Sequence, residues 1–238
     1  MGGALLGAAG VNLAASLAML LVLAGATPAG GTPEGRLAYV AAHREAVMAG
    51  WSLWIGATLG LLLSFWALAR LAAPRRRGLC QLALLFAAVG AALDIAADVL
   101  HMTAVPALAE QYAAARSPAE ATAVIAAFRA WDAAAVALTG GAGNSLYALA
   151  GALITWALLR TPWVPRVLVA WGALVWAGAG FASAALVWWP ALLPPAVGGT
   201  MALYVSWMTA AGLWLLRAAR PSPGRPPRQA GDQVRPSR

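Results

Sequence analysis

The chain has 238 residues, 62% of them hydrophobic and 10% charged, where a soluble domain carries about 45–50% apolar and about 25% charged residues, so an ordinary soluble globular protein is excluded. All sixteen basic residues are arginine, against eight acids, for a net charge of +8; chemistry that needs a lysine amine, such as a retinal Schiff base, a pyridoxal aldimine or a P-loop, is excluded with them. The single cysteine, Cys80, rules out an internal disulfide, a CxxC redox pair and a thiolate zinc cage.

A bilayer core takes about 20 consecutive apolar residues per helix. Runs of that kind cover residues 5–24, 46–69, 78–100, 133–159, 167–189 and 200–216. No strand-like alternation competes with them. The fold expected is all-α, a polytopic transmembrane helix bundle of six spans over residues 1–216. The first run has no positive leader and exceeds the 7–15 residues of a signal-peptide core, so it is read as a span; a mature N-terminus near Thr27 would instead mark it as a cleaved signal.

Between the first two spans, residues 33–45 (PEGRLAYVAAHRE) open with a proline beside an acid, as helix starts do, and residues 117–132 (SPAEATAVIAAFRAWD) repeat the pattern. Both are expected to be short helices at, or extending beyond, one membrane interface. The other connections collect arginine: Arg70, Arg75, Arg76 and Arg77 after the second span, Arg160 and Arg166 after the fourth, and six more from Arg217 onward. Only Arg36, Arg44, Arg116 and Arg129 lie on the opposite side, among Glu34, Glu45, Glu110, Glu120 and Asp132. The positive-inside rule then places both termini in the cytoplasm. The basic excess is thus a topology signal and gives no reason to expect nucleic acid.

Residues 217–238, with six arginines, five prolines and one acid, are expected to be a disordered cytoplasmic tail touching anionic lipid headgroups. The bias toward Ala, Gly, Arg and Pro suggests a GC-rich bacterial genome, hence the bacterial cytoplasmic membrane. Tryptophans 51, 54, 131, 188 and 189 fall near outer span ends, and 66, 156, 163 and 214 near inner ones, as interfacial anchors would. Small residues from Gly140 to Gly151 and around Gly172 offer faces for self-association into a homo-oligomer.

Acids inside a span cost about 2.5–3.5 kcal/mol each at the helix centre and mark function by default. The third span holds Asp94, Asp98 and His101 at i, i+4 and i+7, which places them on one helix face. His43, Arg129 and Asp132 reach the same outer layer from other segments, and Asn144 and Asn12 stand in spans where interhelical hydrogen bonds form.

Four uses of this cluster are open. Asp94 and Asp98 could pair with Arg129, Arg44 or His101 and fix helix register. They could line an outward-facing polar pocket for a small molecule, lipid or ion, with His43, Arg129, Asp132 and Asn144 among its candidate ligands. With His101 and His43 they could hold a divalent metal, or the two histidines could be axial to a haem. Gly90-x3-Asp94-x3-Asp98 matches only the closing half of the CDP-alcohol phosphatidyltransferase signature, and the acids of its opening half are missing upstream. No GxSxG elbow is present, and two histidines are too few for a three-histidine zinc hydrolase. The sequence therefore designates no catalytic residue and no cofactor.

Residues 140–172 (GGAGNSLYALAGALITWALLRTPWVPRVLVAWG) combine a Gly-rich fourth span with the turn Arg160-Thr161-Pro162-Trp163-Val164-Pro165-Arg166 and a fifth span that soon reaches Gly172. This pattern resembles a bacterial family of small six-helix membrane proteins described only as a domain of unknown function. The resemblance implies the architecture and brings no activity. The expected function is a non-enzymatic multi-pass membrane protein that binds a small ligand or lipid, as sensor, accessory subunit or carrier. The alternative is a metal-dependent membrane enzyme built on Asp94, Asp98, His101 and His43.

Overall fold

The computed structural model describes residues 1–72 and 76–219. Eight α-helices follow in chain order: α1 (Gly2–Leu21), α2 (Pro33–Ala42), α3 (Arg44–Ala69), α4 (Arg77–Ala114), α5 (Pro118–Val136), α6 (Asn144–Leu159), α7 (Arg166–Trp188) and α8 (Leu193–Ala218). A π-helical segment, Ala137–Gly143, joins α5 to α6 without a break. Six helices are long and apolar enough to cross a membrane, with α5 and α6 counted as one, and no strand occurs among the described residues. These six apolar helices support a multi-pass helical membrane protein.

The helices close into a ring. Each of α1, α3, α4, α6, α7 and α8 packs on the next in that order, and α8 returns to α1. The closing contact needs two glycines: a Cβ on Gly2 would lie 2.9 Å from the Gly212 carbonyl oxygen, and one on Gly212 would lie 3.0 Å from that of Gly2. Toward the arginine-rich end, the ring interior is filled by an aromatic plug of Phe65, Tyr147, Trp176, Tyr204 and Trp207. Trp207 Nε1 donates to the Leu168 carbonyl at 2.7 Å, and Ser64 Oγ lies 2.9 Å from Tyr204 OH. Gly151 carries the face of Trp176, whose ring occupies the place a Cβ would take, and a Cβ on Gly172 would lie 2.7 Å from the Trp207 ring. Of the small residues expected to serve self-association, Gly151 and Gly172 are thus covered by the chain's own tryptophans, while Gly140 and Gly141 lie beside Leu186.

Two helices overrun the bilayer. At 1.5 Å per residue, the 38 residues of α4 and the 42-residue run Pro118–Leu159 each measure about 60 Å, twice the hydrocarbon thickness of about 30 Å. The third run was expected to stop near residue 100 and residues 117–132 to form a separate short helix; instead α4 continues through Pro106 to Ala114, and α5 runs straight into the fourth span. Hydropathy marks where lipid ends, while Ala-rich sequence keeps its helical propensity in water.

The surplus length of α4 and α5 meets α2 in a cap at the end opposite the arginine-rich connections. The cap helices start as their sequences foretell. Thr32 Oγ1 accepts from Gly35 N at 3.3 Å and Ser117 Oγ from Glu120 N at 3.2 Å, while Glu120 Oε2 accepts from Arg116 N at 2.7 Å. Its own backbone N–H, with the Thr32 hydroxyl, holds the Glu34 carboxyl below its ordinary range. Leu23, Leu37, Val40, Val47, Val105, Leu108 and Phe128 form the cap's apolar centre.

Arg217 and Ala218 belong to α8 and not to a tail. The remainder of the expected tail, residues 220–238, and Arg75 lie outside the described residues.

Candidate functional site

Asp94, Asp98 and His101 are all buried, so the i, i+4, i+7 stripe does face the ring interior. It serves two places. Asp94 and Asp98 border a cavity of about 260 Å³ lined by α1, α3, α4, the end of α5, the π segment, α6, α7 and α8, in the half of the ring away from the arginine-rich end. One turn further on, His101 stacks on Trp51 at 4.3 Å between ring centroids and 3° between planes. Trp51 was expected at the lipid interface; it is buried, and with Trp54 and Met19 it belongs both to the cavity wall and to the cap's apolar cluster.

The two carboxylates differ in what holds them. Asp94 accepts from three hydroxyl groups: Thr58 Oγ1 at 3.1 Å, Tyr147 OH at 3.3 Å, and Thr139 Oγ1 at short range. Their convergence follows from glycine. A Cβ on Gly90 would meet the Gly143 carbonyl and the Tyr147 ring at 3.0 Å, and one on Gly143 would meet the Leu138 and Gly90 carbonyls at 3.1 and 3.3 Å. Without side chains there, α4 and the π segment approach backbone to backbone, and the widened turn brings Thr139 onto Asp94. π-helical turns of this kind recur at functional sites. Asp98, 1% exposed, has a buried Oδ2 that accepts no hydrogen bond among the described residues. A buried acceptor left so costs about 1–3 kcal/mol.

Among the described residues no cation answers either acid. The ion pairs among the described residues are Arg36 with Asp132 and Arg44 with Glu110. Asp132 is thus a cap residue, held in a fork by Arg36 at 2.9 and 2.5 Å. Arg36, itself buried, also donates Nε–H to the Ala26 carbonyl at 3.0 Å and lies over the Phe128 ring at 4.8 Å. Arg129 is exposed. The expected pairing of the acids with Arg129, Arg44 or His101 does not occur, because each of these is engaged or directed elsewhere.

His43 ends α2, exposed, with its ring on Tyr39 and its Nδ1 3.0 Å from the Tyr39 carbonyl oxygen. It lies outside the cavity lining. The set Asp94, Asp98, His101 and His43 does not converge, and no group of three or more His, Cys, Asp or Glu side chains among the described residues is placed to hold a metal ion. Asn144 does border the cavity, where Nδ2 donates to the Ala179 carbonyl at 2.9 Å and ties α6 to α7. Asn12 ties α1 to α3 by donating to the Ala8 and Ala57 carbonyls at 2.9 and 3.2 Å.

Sequence reasoning missed Thr58, Thr139, Tyr147 and the two tryptophans as cavity residues, and Arg36 as the partner of Asp132. The TGGAG run at 139–143 is the one local signal for the first group, since three glycines in five residues weaken a regular helix. Nothing local marks Arg36, whose partner is 96 residues away in the chain.

Elsewhere the cavity wall is mostly aliphatic and aromatic, with Leu186, Val197 and Met201 beside two further polar groups, Asn12 and Thr200. Such a chamber suits a molecule with an apolar body and one donor group. No family model, curated protein or solved structure matches the chain.

Proposed function

We propose that the chain is a small-molecule-binding protein of the bacterial cytoplasmic membrane, with both termini cytoplasmic, acting as a sensor, accessory subunit or carrier. Its ligand has an apolar body and a cationic head, and the head engages Asp98. In this reading the chain is a member of the six-helix bacterial family that residues 140–172 resemble. The observation that carries the proposal is the Asp98 Oδ2 acceptor, buried at a largely apolar cavity and unanswered by any arginine among the described residues. Intramembrane acids that face a cavity are the usual sites of ligand or ion engagement. Trp51, Trp54 and Tyr147 add aromatic faces that favour a cation once water is excluded. A volume near 260 Å³ fits a ligand below the usual drug-sized range of about 300–1,000 Å³.

The test uses phenethylamine as a cationic probe and ethylbenzene as its donor-free counterpart, with purified protein in nanodiscs and tryptophan emission as the readout. The amine should saturate the signal, Asp98→Asn should weaken it by about tenfold or more, and Ala182→Phe, which fills the cavity wall, should abolish it. Equal response to both probes, or an unchanged response in Asp98→Asn, would refute the reading.

A further inference from the structure

A second cavity, of about 600 Å³, lies at the opposite end of the molecule, where α3 ends and α4 begins. Arg70 and Arg77 border it with Gln81, Trp66 and Leu84. Neither arginine pairs with a carboxylate among the described residues, and seven of the eight acids belong to the far half of the molecule or to Asp94 and Asp98. The start of α4 has no side-chain cap and no acid in its first turn, so its free N–H groups add partial positive charge to that of the two guanidinium groups.

The niche has an apolar side as well. Trp66 is 45% exposed, and the Arg70 guanidinium lies over its ring at 5.6 Å. The same arrangement recurs at the end of α6, where Arg160 lies over the exposed Trp156 at 5.7 Å. The sequences are WALAR at 66–70 and WALLR at 156–160. An indole with an arginine one turn later marks the boundary between hydrocarbon and headgroups, so two separate helices put Arg70 at the depth of lipid phosphates. Basic pockets between helices at that depth suit phosphate-bearing headgroups, and guanidinium forks match phosphate oxygens in pairs.

From this geometry we infer that the α3–α4 niche is a binding site for the headgroup of an anionic phospholipid. Arg70 and Arg77 take the phosphate, and Trp66 and Leu84 lie beside the acyl chains. The site shares no lining residue with the ring cavity.

Native mass spectrometry of the full chain, loaded with phosphatidylglycerol or phosphatidylcholine, tests it. Phosphatidylglycerol should be retained at least tenfold more than phosphatidylcholine. Arg70→Gln with Arg77→Gln should remove that preference, while Arg160→Gln with Arg166→Gln, the same charge loss at the same end, should leave it intact. Gln81→Trp narrows the niche at an exposed position and keeps both arginines; it should lower retention several-fold. Equal loss in the two double variants would mean diffuse attraction and overturn the site, as would full retention in Gln81→Trp. Displacement of the lipid by millimolar inorganic phosphate would overturn it in favour of a free-anion site.

Discussion

The cap and the ring are both helical and both closely packed, yet they are held by different physics. In the ring the outer surface faces lipid, so burying a leucine gains little over leaving it exposed, and cohesion comes from close fit and interhelical hydrogen bonds. That is where Gly2, Gly151, Gly172 and Gly212 lie, each against a ring, side chain or carbonyl of a neighbouring helix. The cap projects past the apolar span ends. There Leu37, Val40, Leu108 and Phe128 leave water for a conventional apolar centre, and the buried Arg36–Asp132 fork fixes α2 against α5. The cavity acids sit where the two regimes meet.

Three variants should separate the regions, two with large effects and one with a small effect. Gly151→Ala drives a methyl group into the Trp176 ring. The ring is wedged among Phe65, Tyr204 and Trp207 and has no room to yield, so a loss of about 3 kcal/mol is expected. It should show as a lowered unfolding temperature of the whole detergent-solubilised protein. Arg36→Ala leaves Asp132 without its partner, the Asp132 side chain being 17% exposed; about 3 kcal/mol should be lost, confined to the cap. Amide exchange should rise across α2 and residues 24–30 and stay unchanged in α6 to α8, and Arg36→Met combined with Asp132→Leu should recover most of the loss. Arg44→Ala breaks an ion pair whose side chains are 55% and 59% exposed. Its effect should stay below about 1 kcal/mol and vanish in high salt. If Arg44→Ala matched Arg36→Ala, the cap would owe its cohesion to surface charge and the contrast with the ring would fail.

The length of the apolar runs was enough to find six spans, and the proline-acid openings at 33–34 and 118–120 were enough to find where α2 and α5 begin, though not that α5 runs on into the fourth span. The inward stripe of Asp94, Asp98 and His101 was legible for the same reason: the 3.6-residue turn is local. The partners of that stripe were not legible. Thr58, Thr139 and Tyr147 reach Asp94 from other helices because glycines 90 and 143 let backbones touch, a property of the helix pair and not of either segment. Asp132 looked like a site residue because it is an acid at the right depth, but depth says nothing about azimuth, and Arg36 captures it. His43 shared that depth and points elsewhere.

The ring is closed by its first and last helices, and this has a consequence for biogenesis. As the chain leaves the ribosome, α1 gains α3 early but must wait about 190 residues for α8, at 5–20 residues per second for tens of seconds. Throughout that interval the Gly2 face of α1 lacks its partner, and the chamber above Asp98 lacks its last wall. The chamber is therefore completed only once α8 has packed beside α1 and α7, and a chain stalled before that point would hold Asp94 and Asp98 at a chamber without its α8 wall.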